Sequence, residues 1–287
     1  MDKYGLIGYP LGHSFSIGYF NEKFENEHIN AQYFNFEIPS IEDFKEVIDS
    51  NPQLRGLNVT IPYKEQVIPY LDSLSPEAKA IGAVNVIRVT HKGNKTILKG
   101  FNSDVIGFTR SIEPLLERHH KKALILGTGG ASKAVLYLAI EEGVNSITLV
   151  NRNISKADEL KAEVGVKDIS VISFDDLKSN INLLDKDNYF VFQTTNVGMH
   201  PNIGDCIIED EAFYEKCDSG IDLIYTPFET AFIKKMKSKG KVCINGLDML
   251  ILQGVASFEI WNNVKVDKDI IEKVKVLLTE KLRERMQ

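Results

Sequence analysis

The chain has 287 residues, of which 43% are hydrophobic, and a formal net charge of −6. That length and apolar content suffice for two α/β lobes, each with its own core. Acids and bases are interspersed, with no basic arm and no basic stripe bearing aromatics, which speaks against a nucleic-acid partner, and every apolar run is far shorter than a membrane span.

From the amino end, Met1-Asp2-Lys3-Tyr4 carries neither a basic stretch nor a long apolar segment, so no signal peptide is expected. Tyr4-Gly5-Leu6-Ile7-Gly8 reads as a strand, Ser16 to Glu27 as a helix and Tyr33 to Glu37 as a strand. Ile41 to Asn51 reads as a helix, with Ile41, Phe44, Val47 and Ile48 on its apolar face. Leu57 to Thr60 ends another strand. Ala83 to Val89 and Thr96 to Leu98 pair around a turn at Lys92-Gly93-Asn94, and Asp104 opens a long helix through Arg118. Later strands are expected at Tyr189 to Phe192, at Ile221 to Ile224 and near Val242. Helices are expected over Ala231 to Lys239 and Gly246 to Glu259. A last helix, Lys268 to Arg285, should bury Ile270, Ile271, Val274, Leu277, Leu278 and Leu282 on one face. Cys206, Cys217 and Cys243 show neither pairing nor metal-ligand spacing and read as reduced thiols in a cytosol. The histidines are scattered, and the neighbours His119 and His120 would point apart on a helix, so no metal site is expected.

Between the two groups of elements lies Ala123-Leu124-Ile125-Leu126-Gly127-Thr128-Gly129-Gly130-Ala131-Ser132-Lys133, continuing into the apolar helix Ala134 to Ile140. A buried strand, a glycine turn and a helix start make the phosphate cradle of a dinucleotide-binding unit. Gly127 turns the chain, Gly129 admits a pyrophosphate to the backbone, and the helix start at Gly130 and Ala131 supplies free N–H groups. Glycine turns also occur with no ligand, but here a second strand, Ser146 to Val150, follows at βαβ spacing. It ends in Asn151-Arg152-Asn153, about 24 residues past Gly127, at the expected ribose position. No carboxylate stands there. Arg152, with Lys156 nearby, suits a 2′-phosphate, so NADP is the expected cofactor.

Polar residues also gather at strand ends in the first lobe: His13-Ser14-Phe15-Ser16, Asn58-Val59-Thr60-Ile61-Pro62-Tyr63-Lys64, Gly82-Ala83-Val84-Asn85 and Asn102-Ser103-Asp104. Ligands of open α/β sheets bind beyond the carboxyl ends of strands. Taken singly, Ser16 and Asp104 would serve equally as helix caps, Thr60 as a turn residue and Lys64 as a solvated lysine.

With Gly8-Tyr9-Pro10-Leu11-Gly12 ahead of the first group and Asn245-Gly246-Leu247-Asp248-Met249-Leu250-Ile251-Leu252-Gln253 near the end, these segments resemble the motif series of the shikimate dehydrogenase family over nearly the whole chain. The Asn-Val-Thr-x-Pro-x-Lys segment is the specific one. The resemblance implies a two-lobed α/β fold: a substrate-binding catalytic domain over 1–103, completed by helices over 247–287, and a Rossmann-type NADP domain over 104–246. It implies reversible reduction of 3-dehydroshikimate to shikimate in chorismate and aromatic amino-acid biosynthesis. Lys64 and Asp104 match the catalytic pair. Ser14 and Ser16 match the hydroxyls on the substrate carboxylate. Thr60, Asn85 and Gln253 match ligand-holding residues, and Tyr225 a tyrosine near the carboxylate. Arg152 matches the 2′-phosphate clasp, and Gly246 and Met249 fall where the family meets the cofactor.

Four departures stand out: Ile17 replaces a usual proline, Asn153 a common threonine, and Gln193 and Asn196 alter a loop that borders the cofactor in the family. Quinate dehydrogenase remains the nearest alternative, and a ligand sensor without turnover the alternative of another class. The expected partner is a small-molecule substrate, with no nucleic acid, no membrane and a cytoplasmic location; monomer and homodimer both stay open.

Overall fold

The computed structural model describes residues 1–12, 15–116, 122–144, 146–164, 168–184 and 188–285. It divides into two compact units, Met1–Ile106 with Gln253–Val274, and Gly107–Leu252 with Lys275–Gln287.

The first unit is built on β1 (Asp2–Gly8), α1 (Phe15–Asn26), β2 (Ala31–Glu37), α2 (Phe44–Asp49), β3 (Leu54–Val59), β4 (Ser73–Leu74), α3 (Pro76–Ile81), β5 (Val86–Lys92) and β6 (Lys95–Phe101). Its sheet runs β2-β1-β3-β5-β6-β4. β1 lies parallel to both neighbours, whereas β3, β5 and β6 alternate in direction. Successive side chains of a strand face opposite sides of its sheet. Thus Tyr4 and Leu6 of β1 join Phe20, Phe24, Tyr33 and Trp261, while Ile7 joins Phe44, Leu57 and Val59. A strand covered on both faces must be apolar throughout, which is why β1 reads as one apolar run. Ile17, in place of the usual proline, packs half-buried against the aromatic cluster.

α4 (Ser103–Leu116) leads on to β7 (Lys122–Leu126), α5 (Gly130–Glu141), β8 (Ser146–Asn151), α6 (Ile154–Val164), β9 (Ile169–Ser173), α7 (Phe174–Ser179), β10 (Tyr189–Gln193), α8 (Glu211–Glu215), β11 (Cys217–Asp222), α9 (Ala231–Ser238) and β12 (Val242–Asn245). The second sheet runs β12-β11-β10-β7-β8-β9, with every pair parallel. Counted from β7 this is the order 3-2-1-4-5-6 of a doubly wound dinucleotide-binding fold, whose ligand crevice opens where the winding reverses, between β7 and β10. Ala123 and Ile125 of β7 feed one core cluster, Leu124 and Leu126 the other.

α10 (Leu247–Asn262) and α11 (Lys268–Arg285) close the chain. The apolar face expected on α11 is narrower than its sequence implies. Leu278 is 5% exposed, but Ile270 and Leu277 are 42% and 45% exposed. The covered line is Ile271, Val274, Leu278 and Leu282, one helical stripe, with Ile270 and Leu277 flanking it on the open side. The expected end of α4 at Arg118 lies outside the described residues.

Candidate active site and nucleotide cleft

In the first unit, the loop after β3 carries Lys64 and the first turn of α4 carries Asp104. The Thr60 carbonyl accepts the Tyr63 N–H at 2.9 Å, closing a turn, and the Lys64 carbonyl accepts the Val84 N–H at 2.8 Å. Asn102 caps α4: its Oδ1 accepts the Val105 N–H at 3.3 Å, and its Nδ2 donates to the Ala83 carbonyl at 3.0 Å. The capping role therefore falls to Asn102 and leaves Asp104 free. The Asp104 Oδ2 accepts from Lys64 Nζ at 2.7 Å. Both side chains keep about a third of their surface open, at 35% and 26%. An ammonium has three donors, and among the described residues Asp104 is the one partner of Lys64.

Around this pair, Asn85 Oδ1 accepts the Ser103 N–H at 2.6 Å, and neither Asn85 Nδ2 nor Thr60 Oγ1 has a partner among the described residues. Ser16 lies inside the first turn of α1 and is half-buried. Gln253 is half-buried, its Oε1 3.4 Å from Ser103 Oγ. Ser14 lies outside the described residues.

In the second unit, a cleft of about 850 Å³ opens at the carboxyl ends of β7, β8, β9 and β10. Gly127, Gly129, Asn151, Arg152 and Lys156 line it together. Gly127 has φ +102°, and a Cβ there would lie 2.7 Å from Thr195 Cγ2, so only glycine fits the turn. Gly129 precedes α5, and a Cβ there would meet nothing within 4 Å, so the backbone is open to a ligand. Asn153, in place of threonine, accepts the Lys156 N–H at 3.4 Å and its carbonyl takes Asn151 Nδ2 at 2.9 Å, so it shapes the start of α6.

One element of the lining escaped the sequence reading. β9 pairs with β8 so that Ser173 faces Asn151, and the following α7 brings Lys178 to the same cleft, with Asp175 beside it. The signal for this element was Ser173-x-x-Asp176, a helix start: Ser173 Oγ accepts the Asp176 N–H at 2.9 Å. Arg152, Lys156 and Lys178 have no ion-pair partner among the described residues. Three cations against one carboxylate, with no acid at the end of β8, fit a dinucleotide bearing a 2′-phosphate.

The other residues named from the sequence sit elsewhere in the second unit. Gly130 and Ala131 form the first turn of α5. Gly246 is buried, with its Cβ position 2.1 Å from the Leu223 carbonyl oxygen. Met249 is half-buried against the Phe108 and Ile112 cluster, and Tyr225 is half-buried in the loop after β11. Gln193 is fully buried and laces the following loop: its Oε1 accepts the Thr195 N–H at 2.6 Å, and its Nε2 donates to the Val197 carbonyl at 3.2 Å. Asn196 lines the cleft. Among the described residues no helix is long and apolar enough to cross a membrane.

Comparison with known proteins assigns both units. Residues 6–87 match the shikimate dehydrogenase substrate binding domain, 111–196 the shikimate/quinate 5-dehydrogenase family, and 246–274 the shikimate 5′-dehydrogenase C-terminal domain. The shikimate dehydrogenase (NADP(+)) of Methanococcus aeolicus is 37% identical over 271 residues, 93% of this chain and 94% of that protein. The crystal structure of a chorismate mutase/shikimate 5-dehydrogenase fusion protein from Clostridium acetobutylicum superposes with a TM-score of 0.84 at 36% identity, covering 98% of each chain. The shikimate 5-dehydrogenase of Thermus thermophilus, solved in complex with NADP(H) and shikimate, gives a TM-score of 0.76 at 27% identity over 96% of this chain and 98% of that one. With near-full-length likeness in sequence and in fold, the chain belongs to the shikimate dehydrogenase family.

Proposed function

We propose that this protein is an NADP-dependent shikimate dehydrogenase, an oxidoreductase that interconverts 3-dehydroshikimate and shikimate in aromatic amino-acid biosynthesis. The observation that carries the reading is the Lys64–Asp104 pair, 2.7 Å apart, partly open and held at strand and helix ends. The first unit takes the substrate and the second the cofactor.

The chemistry that bound NADPH supplies is hydride donation to the carbonyl carbon. Lys64 gives a proton to the carbonyl oxygen as negative charge grows there, and takes it back in the reverse direction. Asp104 fixes the direction of the ammonium. Asn85 Nδ2 and Thr60 Oγ1, both without partners among the described residues, orient the ring hydroxyls together with Gln253. Ser14 and Ser16 take the carboxylate. In the second unit Gly127, Gly129, Gly130 and Ala131 hold the pyrophosphate, Asn151, Arg152 and Lys156 the phosphorylated ribose, and Gly246 and Met249 border the nicotinamide. The free thiols Cys206, Cys217 and Cys243 fit a reducing cytoplasm.

The test is the initial rate of NADPH oxidation with 3-dehydroshikimate. Saturable turnover is expected. Binding of both ligands without turnover would replace the enzyme by a sensor.

A further inference from the structure

Asn58 opens the most specific motif of the chain, yet the reaction above gives it no task. It is the penultimate residue of β3, 8% exposed, and makes three side-chain hydrogen bonds. Its Oδ1 accepts the Tyr33 hydroxyl at 2.8 Å. Its Nδ2 donates to Ser257 Oγ at 3.0 Å and, at 3.4 Å, to the Asn85 carbonyl.

The surroundings allow one orientation of this amide. The Asn85 carbonyl can only accept, so the amide NH2 must face it. The Asn58 oxygen then faces Tyr33 and cannot donate, so Tyr33 must. Burial leaves Tyr33 1% exposed and pushes its phenol pKa up, so it stays protonated. Its proton is committed to Asn58. On the other side, Ser257 donates to the Gln253 carbonyl at 2.9 Å, leaving lone pairs for Asn58 Nδ2 and for Ser103 Oγ at 3.3 Å. Ser103 and Ser257 are both fully buried. The chain of bonds runs from Tyr33 through Asn58 and Ser257 to Ser103, beside Asp104.

We propose that Asn58 is a positioning residue: by tying Tyr33, the Asn85 carbonyl and Ser257 together, it holds Asn85, Ser103 and Gln253 of the first unit as one preorganised set. This rests on the shikimate reading of that unit. Asn58 lies in the first unit and the nucleotide cleft in the second, so its loss acts on the substrate and not on the cofactor.

The experiment compares wild type with Asn58→Leu, which keeps the bulk and removes every hydrogen bond, and with Asn58→Asp. Kd for shikimate and for NADP is measured by titration, and KM for shikimate from pH 5 to 9. For Asn58→Leu, a loss of about 10- to 100-fold in shikimate Kd is expected, the usual effect of stranding buried polar partners, with NADP Kd within about twofold. For Asn58→Asp, the KM ratio to wild type is expected to fall with falling pH, or to stay near one throughout, because a protonated carboxyl restores the donor. Unchanged shikimate binding by Asn58→Leu overturns the proposal, as does equal loss of both ligands, which marks general damage. A ratio for Asn58→Asp that is flat and well above one overturns the donor role. Absence of shikimate binding by the wild type overturns the functional reading itself and the proposal with it.

Discussion

The Lys64 ammonium donates to the Asp104 carboxylate at 2.7 Å across 40 positions of sequence. Two adjacent residues hold the two ends: the Val84 N–H binds the Lys64 carbonyl, and the Asn85 side chain binds the Ser103 N–H. So open an ion pair adds little stability, on the order of 0–1 kcal/mol. Its removal should therefore be read in rate and not in folding. Lys64→Ala is expected to lower kcat by roughly 10²–10⁴-fold, the usual range for a lost general acid, with a much smaller change in substrate KM and a nearly unchanged melting temperature. Asp104→Asn should also be severe, because a neutral amide no longer directs the ammonium. Steady-state rates decide it, and a near-normal kcat for Lys64→Ala sinks the assignment.

Cofactor choice should rest on Arg152 and, more weakly, on Lys178. A charge-assisted hydrogen bond is worth roughly 1.5–3 kcal/mol, so Arg152→Ala is expected to cost about 10- to 150-fold in kcat/KM for NADPH and little for NADH. Lys178 reaches the same cleft as a solvated point charge without the planar fork of arginine, so Lys178→Ala should cost less. Both losses should shrink at high salt. An equal loss with both cofactors in Arg152→Ala would make that residue structural.

The parts of this molecule differ in how openly the sequence declares them. β7 is legible because a central parallel strand is covered on both faces: Ala123, Leu124, Ile125 and Leu126 are all fully buried, and the turn they enter tolerates only glycine. β9 is hard to see because it is an edge strand, where only Ile169 is buried. Lys178 was lost with it. Periodicity says nothing about residues that meet across 40 positions, so Lys64 and Asp104 came from a motif likeness and their contact from the fold. Gln193 and Asn153 read as departures among cofactor contacts. In the structure one laces the loop after β10 from inside and the other shapes the start of α6, tasks that depend on neighbours brought in by the sheet.

Asp222, at the end of β11, should make stability depend on pH. It is fully buried, accepts the Thr230 hydroxyl at 2.6 Å and the Ile224 N–H at 3.0 Å, and burial pushes its carboxyl from 3.8 up to about 6. Between those values the folded protein holds a proton that the unfolded chain has released. Stability due to this group is therefore complete below pH 3.8, falls as pH rises through about 6, and is level above. The ionised form costs about 3 kcal/mol at neutral pH. Asp222→Asn cannot ionise. Its melting temperature relative to wild type should rise between pH 4 and 7 and then hold constant. Parallel curves for the two proteins would show that Asp222 does not titrate in this window.

Substrate choice should favour shikimate over quinate. The two acids differ at the carbon that bears the carboxylate, which is planar in shikimate and carries an extra hydroxyl in quinate. That hydroxyl would sit beside the carboxylate, near Ser14 and Ser16. An extra hydroxyl buried there without a partner costs about 1–3 kcal/mol, or roughly 5- to 150-fold. The measurement is kcat/KM for both acids in the oxidation direction with NADP. A value for quinate equal to that for shikimate, or above it, would mean that the hydroxyl finds a partner, and Ser14 and Ser16 would be the residues to change next. The role proposed for the Lys64–Asp104 pair would stand, because it concerns the hydroxyl that is oxidised and not the carbon where the two acids differ.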